Sequence, residues 1–259
     1  MFPILIQFNG FAIHTYGVFV ALGVLSGIFF ARYEARRLGL DADRVLDLCF
    51  YIIVAAIVGS RLFYVATHLD YFMAKPFEIF MIWNGGLVFY GGFIGAALVV
   101  LIYLRIYRLP LGKTADIAGL ALPLGHLFGR IGCFFAGCCY GKACALPWAI
   151  TFAHPKSLAP LNVALHPTQL YHSFTNLLIF LVLFFLRRRK RFDGQIFWLY
   201  ILFYGVARSV IEVFRGDYRG VTVFDMFSIS QIFGIGSAVV AMLMLIILFI
   251  RPRASDENG

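Results

Sequence analysis

A chain of 259 residues is long enough for one or two ordinary domains, but 61% hydrophobic residues, only 14% charged and a mean hydropathy of +0.86 exclude a water-exposed globular surface. The chain reads as an all-α integral membrane protein. Its net charge of +9 does not point to nucleic acid, because the basic residues cluster beside the ends of apolar runs, where they act as topology signals. A cleavable leader is not expected either, since the first Lys or Arg is Arg32 and a basic n-region is missing.

Seven apolar runs are long enough to span a bilayer: Ala12–Ala31, Val45–Thr67, Gly86–Leu104, Thr114–Gly132, Gln169–Leu186, Gln195–Val213 and Asp225–Ile250. The connections after the first, third, fifth and seventh runs hold fourteen of the 22 basic residues: Arg32, Arg36, Arg37, Arg44, Arg105, Arg108, Lys113, Arg187 through Arg191, Arg251 and Arg253. The opposite side holds Lys75, Lys142, Lys156, Arg215 and Arg219. The positive-inside rule then predicts seven transmembrane helices with the N-terminus outside and the C-terminus cytoplasmic. In this reading residues 1–259 form a single membrane-embedded domain. Residues 133–168, rich in proline, form a small extracytoplasmic head, and 251–259 a polar cytoplasmic tail.

Three arginines, Arg61, Arg130 and Arg208, lie inside runs, near the predicted outer ends. Tyr16, the stretch 85–95 with Tyr90, and His166 fall at the same depth. An ionisable group inside a membrane segment costs a few kcal/mol and marks a cavity or a charged ligand; snorkelling accounts for part of this clustering. Arg130 is the centre of the pattern, because His126, Arg130, Cys133 and Gly137 share one face at helical spacing.

Each remaining motif admits a bland reading beside the functional one. The five glycines of 85–95 include Gly91 and Gly95 as a GxxxG pair for helix packing, while bare backbone there admits a lipid headgroup near Tyr90. Tyr204, Arg208 and Glu212 repeat every fourth residue, so Arg208 is an intrahelical partner of Glu212 or, if Arg215 and Arg219 take that carboxylate, a cation left for an anion. Arg61 is balanced between structure and function. His14, beside Thr15-Tyr16-Gly17, stays equally ambiguous. His166-Pro167-Thr168-Gln169 reads as a helix start with a capping histidine, or as part of the site. Cys133, Cys138, Cys139 and Cys144 follow C-x4-C-C-x4-C. No metal is expected there, because adjacent Cys138 and Cys139 do not easily aim both thiols at one ion; a disulfide of undetermined connectivity fits better.

Taken in order, HTYG at 14–17, GGLVFYGGFIG at 85–95, GRIGCFFAGCCYG at 129–141, HPTQLY at 166–171 and YGVARSVIEVFR at 204–215 resemble the prolipoprotein diacylglyceryl transferase family of bacterial inner membranes, over essentially the whole chain. The resemblance implies seven membrane helices, and the predicted orientation puts the site at the outer leaflet. It also implies phosphatidylglycerol as donor, the lipobox cysteine of a preprolipoprotein signal peptide as acceptor, release of glycerol 1-phosphate, and no cofactor. By motif position it implies a phosphate-binding arginine at Arg130, a second essential one at Arg208, and substrate contacts at Tyr16, Gly91, Gly92, Cys133, Gly141, His166 and Tyr204. Tyr90 stands where the family often has His, and Cys133 where it often has Asn. These departures leave the general base open between Tyr90 and His126.

The chemistry agrees with the residues. A cysteine thiol, with a pKa of about 8.5, must be deprotonated to attack carbon, and the phosphate monoester that leaves needs a waiting cation. Arginine binds phosphate oxygens bidentately and stays charged when desolvated. Two rivals remain: a thiol redox enzyme using the Cys133–Cys144 cluster, which lacks a C-x2-C pair, and a lipid or solute transporter, which would show repeated halves.

Overall fold

The computed structural model describes residues 2–8, 11–217, 222–223 and 227–250; Arg219, Asp225, Arg251, Arg253 and the tail 251–259 lie outside them. Eight α-helices carry the described chain: α1 (Thr15–Arg37), α2 (Ala42–Thr67), α3 (Leu69–Ala74), α4 (Phe89–Ile106), α5 (Leu111–Ala136), α6 (Thr168–Leu186), α7 (Gln195–Glu212) and α8 (Ile229–Ile250). Three two-stranded antiparallel hairpins accompany them: β1 (Ile4–Phe8) with β2 (Phe11–His14), β3 (Ile150–Thr151) with β4 (Ala164–Leu165), and β5 (Thr222–Val223) with β6 (Phe227–Ser228). Each apolar run is mostly helix, but residues 12–14 of the first belong to β2, residues 86–88 of the third precede α4, and Phe227–Ser228 of the seventh form β6. Thr15 then ties α1 to the start of β1, its amide donating to Pro3 O at 3.0 Å and its hydroxyl to Phe2 O.

Six helices, α1, α2, α4, α5, α6 and α8, are long and apolar enough to cross a membrane. The helix α7, interrupted by Arg208 and Glu212, is not among them. Large apolar side chains such as Phe29, Phe185, Phe233 and Ile250 stand exposed, as they do where lipid is the solvent.

The described residues divide into two compact units, one from 31–111 and one from the chain on either side of it. In the first, Asp41 caps α2 by accepting from the amides of Asp43 (3.0 Å) and Arg44 (3.2 Å). The helices α2 and α4 meet through small residues. A Cβ on Gly95 would come within 2.7 Å of Ala55 O, and one on Gly92 within 2.9 Å of Ala56 O, so the glycines permit backbone contact. Leu48, Tyr103 and Leu104 close the other end of this pair.

In the second unit, Leu120, Ile179, Leu183, Ile196 and Tyr200 form a core shared by α5, α6 and α7. Pro123 lies inside α5 and has no N–H for the carbonyl of Gly119. Gly119 itself sits against Phe197, where a Cβ would approach the Phe197 Cα to 2.8 Å. The buried Asp116 of α5 caps the start of α7, accepting from Gly194 N (3.0 Å) and Ile196 N (2.8 Å), and takes Lys190 Nζ at 2.7 Å. Burial works against the Lys190 charge, but Asp116 and Asp193 outweigh it and hold its pKa above the ordinary value. At the other end α5 stops at Gly137, whose φ of +77° is the left-handed exit that glycine allows. The α5 helix therefore includes Cys133, and the small non-helical head runs from residue 137 to 167 around Phe152, Ala159 and Leu165.

Candidate functional site

The site is built on three helices of the second unit. Arg130, half-buried in the last turns of α5, makes no hydrogen bond or ion pair among the described residues. From α7 comes Arg208, 9% exposed, with Nη1 2.6 Å from Glu212 Oε2 and 3.3 Å from His172 Nε2 of α6. The intrahelical pair is therefore formed, and Arg208 is not the unpartnered cation that the competition of Arg215 would have left. The contact is a close charge pair rather than an aligned hydrogen bond, since Glu212 Oε2 lacks a hydrogen-bond partner. Arg215 has turned away, placing its fork on Asp217 at 2.9 and 2.7 Å and leaving Glu212 at 3.7 Å. The charges of Arg130, Arg208 and Arg215 all reach His172, so three cations face two carboxylates, Glu212 and Asp217.

His126, one turn before Arg130 and within reach of its charge, is held by aromatic groups of α7. Its Nδ1 lies 3.0 Å from Tyr200 Oη, and its ring centroid is 4.9 Å from that of Tyr204. Tyr16, on the first turn of α1, is within electrostatic reach of Arg130 and of Cys133, Cys138 and Cys139. Gly132 makes that approach possible: a Cβ there would sit 3.2 Å from both Tyr16 Cδ2 and Tyr16 O.

The turn after α5 is clamped from both sides. Gly141 N donates to His166 O (3.0 Å), Lys142 N to Phe214 O (2.8 Å) and Gly216 N to Tyr140 O (3.1 Å). A Cβ on Gly141 would meet His166 O at 2.6 Å and Phe214 O at 2.7 Å, so only glycine fits. His166 does not cap α6, whose N-cap is Pro167 with no side-chain cap bond; its Nδ1 lies 3.1 Å from Tyr171 Oη instead. The cysteines give the largest departure from expectation. No disulfide joins them, and the sulfurs of Cys133, Cys138 and Cys139 all lie within 4.8 Å of one another. The left-handed φ of 60° at Cys139 turns its side chain back beside that of Cys138, which removes the geometric objection to a shared ligand. Hydrogen bonds from the Cys133 and Cys138 thiols, aided by Arg215, hold the Cys139 thiol well below the usual range against its burial. The same bonds and burial push Cys138 up. Burial disfavours the Arg215 charge, but Asp217 and Cys139 more than offset it and raise its pKa.

A row on α6 escaped sequence reasoning. Gln169, His172, Ser173 and Asn176 are all buried, at spacing i, i+3, i+4 and i+7, one polar face within an apolar run. That spacing in TQLYHSFTN was the available signal. Gln169 Nε2 donates to Cys138 O (2.8 Å) and Thr168 Oγ1 to Cys139 O (2.8 Å), while Gln169 Oε1 and Asn176 Oδ1 are buried with no partner.

Tyr90, Gly91 and Gly92 belong to the other unit. Tyr90 is exposed on the first turn of α4, and Gly91 and Gly92 are buried against α2. Arg61 of α2 is spent on structure. Its guanidinium donates to the carbonyls of Glu78 (2.5 Å), Ile79 (2.8 Å), Met81 (3.4 Å), Gly85 (2.7 Å) and Gly86 (3.2 Å), and it stacks over Phe72 and Tyr64. His14 is exposed on β2.

Residues 3–247 match the family model described as prolipoprotein diacylglyceryl transferase. Relatives carrying the name phosphatidylglycerol–prolipoprotein diacylglyceryl transferase include one from Clostridium tetani, 34% identical over 94% of this chain and 96% of its own. Another from Clostridioides difficile is 33% identical over 91% and 92%, and one from Symbiobacterium thermophilum is 31% identical over 99% and 96%. These names leave the redox and transporter readings without support. The matched length, and the order of the motifs along it, make this chain a member of the prolipoprotein diacylglyceryl transferase family.

Proposed function

We propose that this protein transfers the diacylglyceryl group of phosphatidylglycerol to the lipobox cysteine of a preprolipoprotein, releasing glycerol 1-phosphate. The observation that carries this reading is Arg130, a half-buried guanidinium with no hydrogen-bond or ion-pair partner among the described residues, whose charge reaches Arg208 and His172. Such a surplus of positive charge suits a phosphodiester whose negative charge grows as its carbon–oxygen bond breaks. Arg130 binds the phosphate; Arg208, steadied by Glu212, closes on it as the leaving group forms. Tyr16 and Tyr204 flank the headgroup, and the buried oxygens of Gln169 and Asn176 suit the hydroxyl donors of a glycerol moiety.

The acceptor sulfur forms its bond to the glyceryl carbon as the bond from that carbon to the phosphate oxygen breaks. The thiol proton must leave first or in concert. In this reading His126 takes it, as the tautomer whose Nδ1, 3.0 Å from Tyr200 Oη, carries the proton and whose Nε2 keeps the lone pair of a usable base. Tyr90, exposed on the first turn of α4, orients the acceptor. Cys133, Gly141 and His166 shape the rim around the phosphate, and Gly91 and Gly92 bring α4 close enough to α2 to present Tyr90.

In this proposal the chain acts as one domain of seven spans in the bacterial inner membrane, α7 being the seventh. The N-terminus, the head at 137–167 and the site face the outer leaflet, and the tail at 251–259 faces the cytoplasm. Incubating purified protein with phosphatidylglycerol and a lipobox peptide is expected to yield the thioether-linked diacylglyceryl peptide by mass spectrometry; its absence from folded protein defeats the assignment. A reporter at Ser157 is expected outside and one after Gly259 inside, and cytoplasmic labelling at Ser157 overturns the orientation.

A further inference from the structure

The geometry points to a three-thiolate site for one closed-shell thiophilic cation, zinc(II) or copper(I), formed by Cys133, Cys138 and Cys139 where α5 meets the head. Three sulfurs lie within 4.8 Å of one another, each half-buried, and together they converge from two structural elements: the last turn of α5 and the tight turn beyond Gly137. One ion with metal–sulfur bonds of about 2.3 Å holds its sulfurs roughly 4 Å apart, so side-chain adjustment alone completes the triangle. A disulfide needs two sulfurs at about 2 Å and leaves the third out; a mutual arrangement of all three is what a shared ion requires. The left-handed residue Cys139 supplies the fold-back that C-x2-C spacing supplies in ordinary sites. Soft sulfur-only donors select zinc or copper(I) over magnesium or calcium.

Charge supports the same conclusion. Binding releases to solvent whatever protons the three thiols still hold, and three thiolates with zinc(II) keep one net negative charge. Arg215 lies beside Cys139, and Arg130 is within electrostatic reach of Cys133. The ion joins the end of α5 to the turn whose carbonyls, Cys138 O and Cys139 O, accept from Gln169 and Thr168 at the start of α6. Its role is to lock that turn, and it does not depend on the transferase assignment.

The test uses the full chain in detergent, reduced, stripped with chelator, reloaded with zinc(II) or copper(I), desalted and weighed by native mass spectrometry. One ion per chain is expected, with the ion that survives direct competition naming the ligand. Cys133→Ser, Cys138→Ser and Cys139→Ser are each expected to weaken binding about 100-fold or more, while Cys49→Ser and Cys144→Ser retain it. Because a serine variant can fail for lack of folding, the unmodified protein is also alkylated with and without metal: the ion is expected to protect Cys133, Cys138 and Cys139 and leave Cys49 unaffected. Failure of the reduced protein to retain an ion, retention undiminished in all three variants, or absence of protection overturns the site. A disulfide among the three cysteines in protein taken directly from the membrane overturns it as well.

Discussion

Arg61 and Arg130 are both arginines near one end of an apolar helix, and their surroundings differ in kind. Around Arg61 a single loop, residues 78–86, bends five carbonyls onto the guanidinium, so every N–H has an acceptor and the cation becomes the loop's organising centre. Gly85 and Gly86, with φ of +84° and +75°, permit the bend. Around Arg130 no acceptor closes in among the described residues, and its charge bears on another arginine, Arg208, whose partner is Glu212. The lesson is that burial of an arginine does not by itself mark a site. A guanidinium saturated by backbone serves the fold, and one with donors to spare is the candidate for a ligand.

The largest expected effect tests that contrast directly. Arg130→Lys keeps the charge but loses the bidentate fork, and turnover should fall about 100-fold or more with little change in thermal stability. Wild-type turnover would make Arg130 a snorkelling residue. Arg208→Ala should lose both activity and stability, because Glu212 stays buried beside a retreated Arg215; breaking such a pair costs about 3 kcal/mol. Thermal unfolding together with turnover per folded molecule separates the two losses. If Arg208→Lys retains full activity, the Glu212 pair is the only task of Arg208.

Arg61→Gln should do the reverse. It strands several loop carbonyls and should cost about 2 kcal/mol of stability, while turnover per folded molecule stays near wild type. A selective loss of turnover would erase the contrast. The smallest effects concern the proton. His126→Gln should slow turnover and remove the acid limb of its pH profile, and Tyr90→Phe should raise KM more than it lowers kcat. If both variants behave as wild type, the proton leaves through the phosphate or water.

What the sequence determined by itself was the helices and the place of Arg130. Seven apolar runs correspond to seven long helices, with most ends within four residues and that of α1 six beyond, because a membrane helix is a local object: its hydrogen bonds lie four residues apart and its length is set by the bilayer. His126, Arg130 and Cys133 share a face of α5 for the same reason. Only the tertiary structure decided which partner each polar group found. The carbonyls on Arg61 come from 17 to 25 positions away, and the His172 that meets Arg208 from 36 away on another helix. The sulfur triangle depends on two left-handed residues, Gly137 and Cys139, and the second of these no spacing rule encodes. Helix formation is specified within one turn of chain, whereas the neutralisation of a buried charge depends on whichever distant backbone or side chain the packing delivers to it.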